Sequence, residues 1–265
     1  MKKITNFKTG IAIALFLILI SWESYSAPQE HQQYYEIKIY RLADQSQEAR
    51  VDDYLKNAYI PALHRAGIPD VGVFKPVEAD TAYGKLVYVF IPFKTIDEFA
   101  GLQSILDKDM VYAEAAKPFC DAPYNKPPYE RLETILLKAF VDMPKYAVPD
   151  FSTPPSERIY ELRSYESATE AKAIKKIEMF NSGGEIALFK KLDFHPVFFV
   201  QVLAGSHMPN LMYMTTFSGM KSHDQNWKSF VDSQEWKTLS TMDEYRNTVS
   251  KANPFLLHPA SYSDF

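Results

Sequence analysis

A six-residue strand that occurs twice constrains this chain more than any other feature. Tyr35-Glu36-Ile37-Lys38-Ile39-Tyr40 returns as Tyr160-Glu161-Leu162-Arg163-Ser164-Tyr165, 125 positions later. The same offset carries Leu86-Val87-Tyr88-Val89 onto Leu211-Met212-Tyr213-Met214, and Ala62-Leu63 onto Ala187-Leu188. Three anchors at one lag mark a tandem duplication. Period-two alternation puts Glu36, Lys38 and Tyr40 on one face of a half-buried strand and Tyr35, Ile37 and Ile39 on the other.

Each copy reads strand, helix, strand, strand, helix, strand. In the first, Asp44 with Gln47 forms a capping box ahead of an apolar stripe from Val51 to Ala66, and Gly67 closes that helix. Pro61 inside the stripe is expected to kink or break it. Val71 to Lys75 and the all-apolar Leu86 to Ile91 are the next strands. Thr95 with Glu98 opens a second helix through Phe99, Leu102 and Leu106. A Pro-rich loop, Lys117 to Tyr129, leads to a strand from Arg131 to Phe140. The second copy repeats the order, with Ser167/Glu170 and Ser222/Gln225 expected as helix starts and Gly183-Gly184 interrupting the first helix.

This pattern predicts an α+β fold of two tandem ferredoxin-like (β-α-β-β-α-β) units, residues 34–142 and 157–265, joined by a Pro-rich linker at 143–156. Helices cover only one face of a four-stranded sheet. The other face carries Val71, Val73, Phe198 and Val200, too much apolar surface to leave in water. The two sheets are therefore expected to pack face to face as an internal dimeric α/β barrel.

The N-terminus has its own signature. Lys2, Lys3 and Lys8 precede an unbroken apolar run, Ile11 to Ile20, and Ser24-Tyr25-Ser26 then places small residues before a cut at Ala27. Residues 1–26 read as a secretory signal peptide, giving a periplasmic or secreted protein. Ten apolar residues span about 15 Å of helix, roughly half a bilayer core, so no stable membrane anchor is expected after cleavage. Loss of three lysines and Glu23 moves the net charge from −4 to about −6. Such a chain has no electrostatic attraction for nucleic acid. The single cysteine, Cys120, has no internal disulfide partner and is expected in a loop as a free, unactivated thiol.

With these residues laid out, the chain resembles the NIPSNAP family. Tyr160 to Tyr165 looks like that family's opening strand, Gly205-Ser206-His207-Met208-Pro209-Asn210 with Leu211 to Met214 like its strand-two to strand-three hairpin, and Leu257-His258-Pro259 with Tyr262-Ser263 like its closing strand. The resemblance implies the dimeric α/β-barrel form of the ferredoxin-like fold. It brings no catalytic residues, because the family has no agreed chemistry. Related barrels include cofactor-independent monooxygenases and haem-degrading enzymes. At the hairpin the first copy departs: His207 meets Ala82 and Pro209 meets Gly84.

If Tyr35, Ile37 and Ile39 pack under the helices, Glu36, Lys38, Tyr40, Glu161, Arg163 and Tyr165 converge between the sheets. Buried charges require partners, so Glu36–Lys38 and Glu161–Arg163 are the expected ion pairs. Two readings stay open: a cleft that orients a small ligand, or a structural pairing that sets the register of the halves. His207, between Gly205 and Pro209, is the candidate general base or ligand contact, against a plain solvated loop histidine. His64, His195, His223 and His258 lack metal-ligand spacing, and no metal or cofactor is expected. No phosphate loop, nucleophile elbow or Cys–His pair is present. The leading expectation is an exported protein that binds a small apolar or aromatic ligand between its sheets. The alternatives are a cofactor-independent monooxygenase- or isomerase-like enzyme and an interaction module with a filled interior. Homo-oligomers are compatible with all three.

Overall fold

The computed structural model describes residues 31–265, so the expected signal peptide lies outside the described residues. The fold is α+β, with eight antiparallel strands closed into one barrel in the order β1-β3-β2-β8-β5-β7-β6-β4. The first half supplies β1 (Tyr34–Arg41), β2 (Gly72–Pro76), β3 (Leu86–Phe93) and β4 (Arg131–Ala139). The second supplies β5 (Ile159–Glu166), β6 (Pro196–Ala204), β7 (Asn210–Phe217) and β8 (Lys251–Pro259). Within each half the spatial order is the same, β4-β1-β3-β2 and β8-β5-β7-β6. The halves meet through backbone pairing of β2 with β8 and β4 with β6. The sheets are thus hydrogen-bonded edge to edge as well as facing each other, which leaves no open edge among the described strands.

Helices clothe the outside: α1 (Gln45–Tyr54), α2 (Ile60–Arg65), α3 (Ile96–Leu106) and α4 (Met110–Cys120) on the first half, and α5 (Glu170–Phe180), α6 (Glu185–Lys191), α7 (Met220–Asp232) and α8 (Gln234–Thr241) on the second. Two capping boxes form as the sequence predicts. Asp44 accepts from Ser46 and Gln47 N–H while Gln47 accepts from Ala43 N–H, and at the start of α3 the Thr95 hydroxyl accepts from Glu98 N–H while the Glu98 carboxylate accepts from Lys94 N–H. Gly67 adopts φ 89° at the end of α2. Pro61 does not break its helix. A π-helical turn, Leu55–Tyr59, widens the backbone just ahead of it and passes the chain into α2.

Other starts differ. Thr169, not Ser167, caps α5; Ser167 instead donates to Thr248 O. α7 begins at Met220 after Gly219, and Ser222 donates back to Gly219 O. Cys120 ends α4 rather than lying in a loop, because Asp109 caps a helix that runs on to it.

The facing of the strands inverts the expectation. Tyr35, Ile37, Ile39, Tyr160 and Leu162 point into the barrel, packed with Phe90, Phe198, Met212, Met214 and Leu257. Tyr40 packs instead with Val51, Leu55 and Leu63 of the helices. Glu36, Lys38, Tyr40, Glu161, Arg163 and Tyr165 therefore do not converge between the sheets; they lie beneath the helices of their own half. The reason is closure. An eight-stranded barrel has an interior just wide enough for side chains, and charges there would be desolvated from every side. Under the helices they reach water past helix edges: the Lys38 and Arg163 side chains keep 18% and 21% exposure.

Closure also corrects the repeat. Tyr40 pairs with Val87 but Tyr165 pairs with Leu211, so the third strands correspond at an offset of 124 rather than 125. With period two, that single residue sends Tyr88 into the barrel and Tyr213 toward the helices.

One end of the barrel is plugged. Tyr146 from the 143–156 segment packs on Tyr35 and Phe90, donates to Asp70 at 2.6 Å, and meets the C-terminal Phe265. The tail crosses onto the first half, where Val71 N–H donates to Asp264 and Val73 N–H donates to Ser263. A fragment of residues 27–145 loses both joining strands and the plug. It is expected to aggregate or self-dimerise in size-exclusion chromatography with light scattering; a soluble folded monomer would contradict the architecture.

Candidate functional site

Beneath the helices of the second half, β5 presents Glu161, Arg163 and Tyr165 in sequence alternation to α5, α6, α7 and α8. Arg163 Nε donates to Glu161 Oε1 at 2.7 Å and Nη1 to the Tyr165 hydroxyl at 3.1 Å. The guanidinium lies 3.8 Å from the Trp227 ring centroid, a close cation–π stack. Trp227 Nε1 donates to Glu161 Oε2 at 2.6 Å, and His223 Nε2 approaches the same oxygen at 3.4 Å, an ion-pair contact rather than a well-formed hydrogen bond. Tyr165 and Tyr213 share a hydrogen bond at 2.8 Å. Behind them Lys176 and Glu185, both fully enclosed, pair at 2.7 Å.

These groups line a cavity of roughly 370 Å³ formed by Arg163, Tyr165, Glu185, Tyr213, Trp227, Phe230, Val231 and Trp236. Burial alone would raise the Glu161 carboxyl, but His223 and Arg163 outweigh it and hold it below its ordinary value. Burial likewise opposes the Arg163 charge, yet Tyr213, Tyr165 and Glu161 keep it above its usual range. Burial raises Glu185 despite Lys176, and raises Tyr213 far above an ordinary phenol. The cavity therefore offers a fixed cation, a hydrogen-bonded phenol pair, a carboxyl with a raised proton affinity, and aromatic walls.

The first half has a looser counterpart. Glu36 and Lys38 pair at 3.0 Å, and Lys38 and Tyr40 line a cavity of roughly 430 Å³ with Tyr54, Tyr59, Tyr112 and Cys120. Burial pushes the Cys120 thiol up, which leaves it unactivated. Among the described residues no tryptophan stacks on this cation.

His207 stands apart from Arg163 and Tyr165. It lies on the β6–β7 hairpin at the open end of the barrel with φ 62°, its Nδ1 3.3 Å from Glu166 Oε1. The expected grouping therefore divides between two sites. Sequence reasoning missed His223, Trp227, Lys176 and Glu185 as site residues. One signal was available: His223 and Trp227 are four apart, hence on one face of a helix. Lys176 and Glu185 come together only through the bend at Gly183-Gly184, whose second glycine has φ 87°.

Raised above 6.5 by Glu161 and Asp224 against the effect of burial, His223 stabilises the fold fully below that value and loses its contribution as pH rises through its folded value. The stability difference between wild type and His223→Gln, measured by urea unfolding, is expected to be constant at acidic pH above carboxylate titration and to shrink from about pH 6.5 upward. A difference that grows with pH would contradict the pairing.

Comparison with known proteins agrees with the barrel fold. The NIPSNAP family model matches residues 160–264, the half that holds the Arg163 cavity. No curated protein matches the chain. Among solved structures, a provisionally named monooxygenase from Lactobacillus acidophilus superposes with TM-score 0.54 at 11% identity, over 86% of this chain and 94% of its own. A second provisionally named monooxygenase, from Fusobacterium nucleatum, superposes with TM-score 0.50 at 9% identity over 86% and 93%. An anthrone oxidase-like protein superposes with TM-score 0.52 at 7% identity over 88% and 93%. Likenesses at these identities establish the shared barrel fold.

Proposed function

The chain belongs to the NIPSNAP family through residues 160–264, and from that premise we propose that it is a small-ligand-binding protein whose site is the Arg163 cavity of the second half. The ligand is a small aromatic molecule bearing an oxygen substituent. The observation that carries this reading is the guanidinium itself, stacked on Trp227 and facing an aromatic-walled space. Its Nε and Nη1 groups are engaged by Glu161 and Tyr165, and a five-donor fork retains N–H groups for a ligand oxygen. Aromatic walls with a few placed polar groups are the usual make-up of a small-molecule site. The ligand site thus moves from between the sheets to beneath the helices, together with the polar face that motivated it.

A second reading, cofactor-independent oxygenation or isomerisation, is favoured by Glu185. A buried carboxyl with a raised proton affinity beside a phenol pair is suited to exchanging a proton with a bound phenol. Two organisational proposals accompany the reading. Each half is a ferredoxin-like unit descended from one duplicated ancestor, supported by the shared strand order and the repeated opening strand. The chain is exported after loss of residues 1–26, supported by their basic, apolar and small-residue order.

Removal of residues 1–26 takes Trp22 with it and leaves Trp227 and Trp236, both lining the cavity, as the tryptophans of the chain. Intrinsic fluorescence of the 27–265 protein is thus a direct reporter of this site. Titration with hydroxybenzoates and naphthols is expected to quench it saturably, with affinity weakened at least tenfold by Arg163→Gln, about 1.4 kcal/mol. Absence of saturable quenching across the panel would refute the reading, as would equal affinity in a folded Arg163→Gln variant.

A further inference from the structure

The open end of the barrel carries a second, separate cavity of roughly 230 Å³. Its walls follow from period-two alternation at the ends of six strands. A deep tier is apolar: Ile39, Tyr88, Ile135, Leu162, Met212 and Phe255. One step outward along the same inward faces come Arg41, Leu86, Glu133, Ser164, Asn210 and Asn253, with Lys251 a further step out on β8 and Ser206 and His207 added by the β6–β7 hairpin. Both halves contribute, so the cavity exists only in the closed ring. Deeper in the barrel core, Phe90 and Phe198 stack with 5.0 Å between centroids.

The rim is built. Ser164 and Asn210, both buried, bond to each other at 2.8 Å and 3.1 Å in a wall that is otherwise apolar. Arg41 is held by Glu133 at 3.1 Å, and Ser206 donates to the same carboxylate. Glu166, outside the lining, holds His207 at 3.3 Å, Lys251 at 3.8 Å and Asn253 at 3.0 Å. Arg41 and Lys251 thus bring cationic N–H donors to the space, with Glu133 and Glu166 as their partners at rest and His207 beside them.

From an apolar cavity beneath this rim of arginine, lysine and amide donors, we infer a binding site for a small amphipathic carboxylate, its hydrocarbon body among Ile39, Leu162 and Met212 and its head taking the N–H donors of Arg41 and Lys251 in exchange for their resting carboxylate partners. A dozen or so non-hydrogen atoms fill the volume, at roughly the 30 Å³ per water-sized group of a condensed phase and less for bonded atoms. The body gains from leaving water, and the carboxylate gains charge-assisted hydrogen bonds from arginine. This also gives His207 a place: it is a rim residue of the barrel mouth, not a partner of Arg163.

Octanoate and octanol, titrated calorimetrically into the 27–265 protein, test the site. Octanoate is expected to bind at one site without quenching Trp227 and Trp236, more tightly than octanol. The pair Arg41→Gln with Lys251→Gln, both on exposed positions, is expected to weaken octanoate at least tenfold and leave octanol unchanged. Asn253→Trp, which narrows the mouth, is expected to abolish both. The proposal is overturned if wild type binds neither compound, if both compounds weaken equally in the charge variant, or if hydroxybenzoate displaces octanoate competitively.

Discussion

Ring closure through the β2–β8 and β4–β6 pairings divides every strand of this protein into a side sealed from water and a side covered by helices. That division governs the rest. Tyr35, Ile37, Ile39, Tyr160 and Leu162 fill the sealed side with aliphatic and aromatic volume. The charges of the same strands are left to the helix side, where helix edges admit water and tryptophan, phenol and histidine supply partners. A buried carboxylate such as Glu161 is tolerated because Arg163, Trp227 and His223 all address it. The candidate site is thus a consequence of where a closed barrel can put charge.

The two cavities express the same rule in opposite ways. Under the second half, charge is enclosed first and the aromatic space forms around it. At the barrel mouth, the apolar interior comes first and charge gathers where the strands end. Arg163 lies on the helix side of β5 and His207 on the β6–β7 hairpin at the barrel mouth, so the two serve different spaces.

Much of this was legible in the sequence. Strand and helix order, the Asp44 and Thr95 caps, the turn at Gly67 and the interruption at Gly183-Gly184 rest on local chemistry, and local chemistry survives tertiary packing. The Glu36–Lys38 and Glu161–Arg163 pairs were also readable, because neighbours on one strand face meet whichever way that face points. The facing itself was not. Alternation says that two faces differ, and only closure says which is sealed. The offset of the third strand misled for the same reason: Tyr88 and Tyr213 match as letters while their backbone registers differ by one residue. α4 and α8 escaped notice because their apolar stripes are thin, with Ala116 and Leu239 their buried members. Ser167 and Ser222 look like caps but serve Thr248 and Gly219 carbonyls that the fold brings near.

Central to the account is that the polar face of β5 points at α7 and not into the barrel. A double-mutant cycle on Glu161→Gln and Trp227→Phe, read by urea unfolding, tests this directly. A charge-assisted hydrogen bond across the sheet–helix boundary predicts a coupling energy of about 1.5–3 kcal/mol. Additive effects, with coupling near zero, would place Glu161 on the other side of the strand and contradict the account.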